Sequence, residues 1–118
     1  MFKIIGRLVP PPAIMPSPLL WGDADTLSQR FSTGVSELRM TPRTIAFRFD
    51  GLGPAEVVAF WREYYGPTQR AFEALAAAPD QQEELREALE RLWADHNQAA
   101  GDGTFVESEY LEVVVIRA

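Results

Sequence analysis

An α+β fold, an antiparallel strand pair (about 44–49 and 109–117) combined with about four helices, is predicted by three features of the sequence. Ile45, Phe47 and Phe49 alternate with Ala46 and Arg48, the period of two that marks a half-buried strand over Thr44 to Phe49. At the end of "TFVESEYLEVVVIRA", Val113 to Ile116 is an unbroken apolar run, which reads as a strand buried on both faces. Between these two segments, apolar residues recur at helical spacing from Pro54 to Gln98.

The elements follow in order. "MFKIIGR" carries apolar residues at Phe2, Ile4 and Ile5 and fits the last turns of a helix ending at Gly6. "GRLVPPPAIMPSPLLWGD" then places five prolines between Pro10 and Pro18. Proline holds a chain extended and needs no backbone donor partner, so this stretch reads as a stiff connection. Asp23 is a good N-cap for a short helix, roughly Ala24 to Phe31, with Leu27 and Phe31 facing the core. Asp23 and Asp25 are read as acids at a helix start. Glu37 to Met40 is a shorter extended piece before Pro42.

Pro54 opens the next helix, with Val57, Val58, Phe60, Trp61, Tyr64 and Tyr65 on its apolar stripe. Gly66-Pro67 breaks it, and a further helix runs from Thr68 to Ala77. Pro79 opens a third, to about Gln98, with Leu85, Leu89, Leu92, Trp93 and His96 on the core side and Glu87–Arg91 as an exposed i,i+4 pair. Gly101 ends that helix and Asp102-Gly103 turns the chain. Only one other strand is predicted to accompany the final one, and a two-stranded sheet has no middle. The run Val113 to Ile116 therefore calls for a neighbour strand from another segment or another chain.

Composition narrows the function classes. The 118 residues include 47% hydrophobic and 24% charged side chains, a globular balance. A net charge of −6 argues against a nucleic-acid backbone or an anionic membrane surface as partner, since both need a basic face. The absence of cysteine excludes disulfides, thiolate metal sites and cysteine nucleophiles. Met1 to Val9 is too short and mixed for a signal peptide, and no apolar run approaches a membrane span. A cytoplasmic protein is expected.

The blocks "VPPPAIMPSPLLWGD", "TIAFRF", "FWREYYGPTQRAF", "LWADHNQA" and "VESEYLEVVVIRA" together resemble, in that order, the C-terminal half of bacterial class I S-adenosylmethionine-dependent methyltransferases. The resemblance implies the C-terminal part of a Rossmann-like sheet of seven strands, whose last two form an antiparallel pair with the final strand between the fifth and sixth. Thr44 to Phe49 would be strand six and Tyr110 to Arg117 strand seven, with strand five its absent neighbour. "MFKIIGR" would end the helix after strand five, and the helices from Pro54 to Gln98 would be an elaboration near the substrate mouth. The chain is then one partial domain lacking the N-terminal parallel strands. Its parts are a helix tail and proline loop (1–22), a helix and strand (23–53), a helical insertion (54–100) and the final strand (104–118).

In that family the cofactor lies on a glycine-rich loop after strand one and an acidic residue ending strand two, and nothing here matches either. Gly51-Leu52-Gly53 lacks a third glycine and precedes a helix start at Pro54. No residue is assigned to the cofactor. S-adenosylmethionine belongs to the intact family, and none is expected on this chain alone.

No catalytic residue is assigned. Substrate contacts are expected from Trp21, Tyr64, Tyr65, His96 and Asn97. Each also has a structural reading. Trp21 would anchor the loop in the core, and Tyr64 and Tyr65 would be core on the stripe of Trp61. His96 would pack under the terminal strand and hydrogen-bond locally. Glu107 and Glu109 share a strand face while Glu112 points the other way, so no metal site is assigned.

Two functional expectations follow. One is the substrate-side half of a methyltransferase acting on a small-molecule acceptor, inactive alone, as a truncated product or one piece of a split enzyme. Its partner would be the missing N-terminal half, and its proline loop would form a wall of the acceptor pocket. The other is a stand-alone small-ligand-binding or protein-interaction module, with a second copy paired through the final strand.

Overall fold

The computed structural model describes every residue from Met1 to Ala118. In chain order the elements are α1 (Phe2–Leu8), a 3-10 turn (Pro18–Gly22), α2 (Ala24–Arg30), β1 (Val35–Asp50), α3 (Pro54–Tyr64), α4 (Gly66–Ala74), α5 (Pro79–His96) and β2 (Gly103–Arg117). β1 and β2 form a two-stranded antiparallel sheet. The fold is α+β. The chain divides into two compact units: Met1–Pro12 with Ala46–Val106, and Ala13–Ile45 with Glu107–Ala118.

The first unit holds the main core. Val57, Val58, Ala71, Phe72, Leu75, Leu85, Leu89 and Trp93 are buried together. The i,i+4 spacing of Leu85, Leu89 and Trp93 puts all three on one face of α5. α3 packs on both α4 and α5, and α1 packs on α5. Complete burial of a leucine contributes about 1.5–3 kcal/mol, so Leu85 and Leu89 are among the chief supports of this unit. Aromatic edges lock the layer beside them: Trp61 and Trp93 stack at 6.0 Å, and Phe47 meets them edge-on at 5.8 and 6.1 Å.

Polar contacts tie the end of α5 to the start of β2. Asn97 accepts through Oδ1 from the amides of Ala99 (3.0 Å) and Phe105 (2.9 Å), and its Nδ2 donates to the Gly103 carbonyl at 3.0 Å. The Thr104 hydroxyl donates to the Leu52 carbonyl at 2.8 Å. Gly103 has φ +134°, and a Cβ there would lie 2.8 Å from the Phe49 carbonyl oxygen. Only glycine fits this crossing.

In the second unit Asp23 caps α2 as the sequence predicts, accepting from the Thr26 amide at 2.8 Å. Leu27 is the one fully buried residue of this unit. The ribbon ends on a bond from the Ala118 amide to the Gly34 carbonyl, 3.1 Å. Arg43 bridges to Glu112 at 3.2 Å and Arg39 to Glu37 at 2.8 Å.

Several expectations need correction. β1 is far longer than Thr44 to Phe49 and takes in Glu37 to Met40 without a break at Pro42. β2 likewise begins at Gly103. Five α-helices and a 3-10 turn stand where about four helices and a helix tail are expected. α4 starts at Gly66 and ends at Ala74. α5 stops at His96, since Asn97 leaves the helix to bind the β2 strand backbone. The ion pairs of α5 centre on Arg86, which holds Glu83 and Glu90 one turn to either side, and not on Glu87–Arg91. Val114, Val115 and Ile116 are 39%, 37% and 42% exposed within the chain, so the run is not covered on both faces.

Candidate functional site

The corner between α3 and α4 is set by Gly66-Pro67. Pro67 supplies no amide donor to α3, so the helix ends and α4 starts in a new direction. Tyr64 and Tyr65 arrive at this corner together. Tyr65 turns inward, half-buried, with its ring edge-on to Trp61 at 5.0 Å. Tyr64 turns outward, 67% exposed, against Phe60 at 4.9 Å. A hydrogen bond to Glu63, then the charge of that carboxylate, raises the Tyr64 phenol above its ordinary pKa. Tyr64 therefore keeps its proton, directed to Glu63, and leaves its phenol oxygen to accept a hydrogen bond from a polar ligand.

Beside this corner a cleft of about 510 Å³ opens between the helices, lined by Arg62, Glu63, Gln69, Phe72, Glu73 and Gln82 among others. The Arg62 guanidinium lies 4.4 Å over the Phe72 ring and has no carboxylate partner. Gln82 is fixed by a bond from Nε2 to the Phe72 carbonyl, 2.8 Å. One cation, two carboxylates and two amides around an aromatic floor suit a small polar molecule. None of the expected substrate residues lines this cleft. Its polar residues lie on the wet sides of α3, α4 and α5, where a stripe of apolar spacing gives no signal. The i,i+4 pair Gln69 and Glu73 directly after the Gly66-Pro67 break was the one available clue.

His96 and Asn97 come together at the end of α5. His96 is exposed and does not pack as a core residue, because it falls in the last turn where no element covers it. Its Nδ1 meets the Leu92 carbonyl at 2.9 Å. A carbonyl only accepts, so Nδ1 carries a hydrogen and Nε2 faces outward. Asn97 spends its amide on the α5–β2 connection described above. A second cleft, about 290 Å³, lies at this connection among Arg48, Asp50, Gln98, Asp102 and their neighbours.

Trp21 belongs to the second unit. It is 57% exposed in the 3-10 turn and carries the Arg30 guanidinium 4.5 Å over its ring. It does not anchor the loop in a core. Glu112 is engaged by Arg43.

Three buried polar groups of the first unit have no hydrogen-bond partner: the indole N–H of Trp61, that of Trp93, and the Thr68 hydroxyl. Each costs about 1–3 kcal/mol relative to a paired group.

Compared with known proteins, the chain matches no family model, no curated protein and no solved structure. No helix is long and apolar enough to cross a membrane.

Proposed function

We propose that this chain forms the substrate-side C-terminal half of an S-adenosylmethionine-dependent methyltransferase that acts on a small-molecule acceptor. The cofactor is held by a separate or preceding half, and this half contributes the acceptor environment. Tyr64, Tyr65 and His96, all of the first unit, are its proposed acceptor contacts. The chemistry of such a site is transfer of a methyl group from the cofactor's sulfonium sulfur to the acceptor's lone pair. The work of these side chains is to orient the acceptor and exclude water. The Tyr64 phenol oxygen accepts a hydrogen bond from the substrate, and His96 turns Nε2 toward it.

The observation that supports this reading is the asymmetry of the ribbon. β1 carries Arg39 and Arg43, long charged side chains of the kind that protect an edge strand from pairing. β2 carries no proline and ends in Leu111 and Val113 to Ile116, of which Val114 to Ile116 stay exposed. A ribbon whose one protected edge lies on β1 is built to receive another strand along β2. That is where the methyltransferase resemblance puts strand five, next to the cofactor-binding half.

The test uses the assembly isolated from its natural source through an affinity tag on this chain. Ultraviolet crosslinking with methyl-tritiated S-adenosylmethionine is expected to label polypeptide outside residues 1–118, and the assembly is expected to transfer the label to small-molecule extracts. Label confined to residues 1–118, or no methyl transfer from the assembly, would refute the reading.

A further inference from the structure

We infer that the outer edge of β2 is also self-complementary, and that in the free chain it pairs antiparallel with the same edge of a second copy, on a two-fold axis at Val113. This pairing stands on the chemistry of the edge itself. Only its consequence rests on the methyltransferase reading: a self-paired chain has no edge left for the cofactor-binding half, so the homodimer is a resting form.

Three observations carry the register. First, the Ala118 amide is spent on Gly34 of β1. In an antiparallel pair, amides alternate between the two sides of a strand, so Arg117, Val115, Val113, Leu111 and Glu109 direct theirs to the free side. An axis at Val113 sets these residues opposite one another in turn: Val113 faces Val113, Leu111 faces Val115 and Glu109 faces Arg117.

Second, the side chains match. Glu109 and Arg117 have no ion-pair partner within their own chain, and both are exposed. The pairing supplies that partner twice, once at each end of the two-fold contact. On the opposite face Tyr110 meets Ile116, an aromatic against a β-branched side chain, which is a favourable cross-strand pair. Both are exposed in the free chain, at 46% and 42%.

Third, the neighbouring register is disfavoured. An axis at Glu112 would set Glu112 against its own copy, like charge directly opposite like charge. In the Val113 register Glu112 instead faces Val114, while its carboxylate stays with Arg43 of its own chain. The β1 edge is the poorer surface, since Arg39 and Arg43 stand on it with their charges engaged by Glu37 and Glu112.

Sedimentation velocity of the purified chain across a micromolar concentration series tests this. The expected result is a reversible monomer–dimer equilibrium with a dimer of twice the 13.2 kDa chain mass. Arg117→Glu sets like charges opposite each other at both ends and is expected to weaken association about tenfold. Glu109→Arg alone does the same. The double variant Glu109→Arg/Arg117→Glu restores opposite charges and is expected to recover the dimer. These positions are exposed, and unchanged circular dichroism verifies that each variant is folded. A monomeric wild type, single reversals that leave association unchanged, or a double variant no stronger than the singles would overturn the proposal. A monomeric wild type would leave the crosslinking test of the methyltransferase reading untouched, and a failed crosslink would leave the dimer untouched.

Discussion

Gly103→Ala is the substitution that the crossing between β1 and β2 tolerates least. The residue has φ +134°, outside the range L side chains adopt. A conformation of that kind costs about 1–3 kcal/mol for a residue with a Cβ. The added methyl would also stand 2.8 Å from the Phe49 carbonyl oxygen, 3.2 Å from the Gly51 nitrogen and 3.6 Å from the Asp50 Cα, all backbone atoms with no rotamer to retreat into. Overpacking of this kind adds about 1–3 kcal/mol. The two terms together predict a loss of about 2–6 kcal/mol, measured as a fall in the urea midpoint at constant slope. Gly101→Ala is the control: its Cβ would meet nothing within 4 Å and its backbone is unstrained, so the change should stay within about 0.5 kcal/mol. Equal stability of the two variants would refute the geometric argument.

Other predictions concern the core and the second unit. Thr68→Val removes a fully buried hydroxyl that has no partner and should stabilise the protein by about 1 kcal/mol in urea titration; a destabilisation would mean the hydroxyl is bonded after all. Leu85→Ala empties a fully buried site on α5 and should cost about 2–5 kcal/mol by the same measurement. The Asp23 carboxyl is held below its ordinary pKa, first by the Thr26 hydroxyl and then by the Thr26 amide. Its folded pKa is depressed, so its contribution to α2 is complete above the unfolded aspartate value of about 3.9 and is lost as pH falls through the folded value. Asp23→Asn should flatten that acid-side loss, followed by amide exchange of Thr26 as pH is lowered.

What the sequence reveals and conceals follows physical lines. Helix boundaries were legible wherever a side chain itself makes the boundary: Asp23 caps α2, and Pro54 and Pro79 open α3 and α5. Core positions were legible where one face repeats over several turns, as with Leu85, Leu89 and Trp93. The spacing misleads at helix ends. His96 continues the stripe of α5 and Tyr64 that of α3, yet both are exposed, because periodicity gives the face of a residue and not what lies opposite it. The length of β1 was hidden because Glu37, Arg39 and Arg43 stand where a half-buried strand would alternate, and Pro42 mimics a boundary. The cleft at Arg62, Glu63, Gln69 and Glu73 was hidden for a related reason: polar residues on separate helices form one site only once the Gly66-Pro67 corner is drawn.

The central claim is that the outer edge of β2 takes another strand in the working protein. Residue-resolved hydrogen exchange of the Leu111, Val113 and Val115 amides tests it most directly, in the assembly isolated from source and in the Arg117→Glu chain held dilute. The account predicts strong protection of these amides in the assembly and rapid exchange in the dilute variant. Exchange in the assembly as fast as in the dilute variant would contradict it.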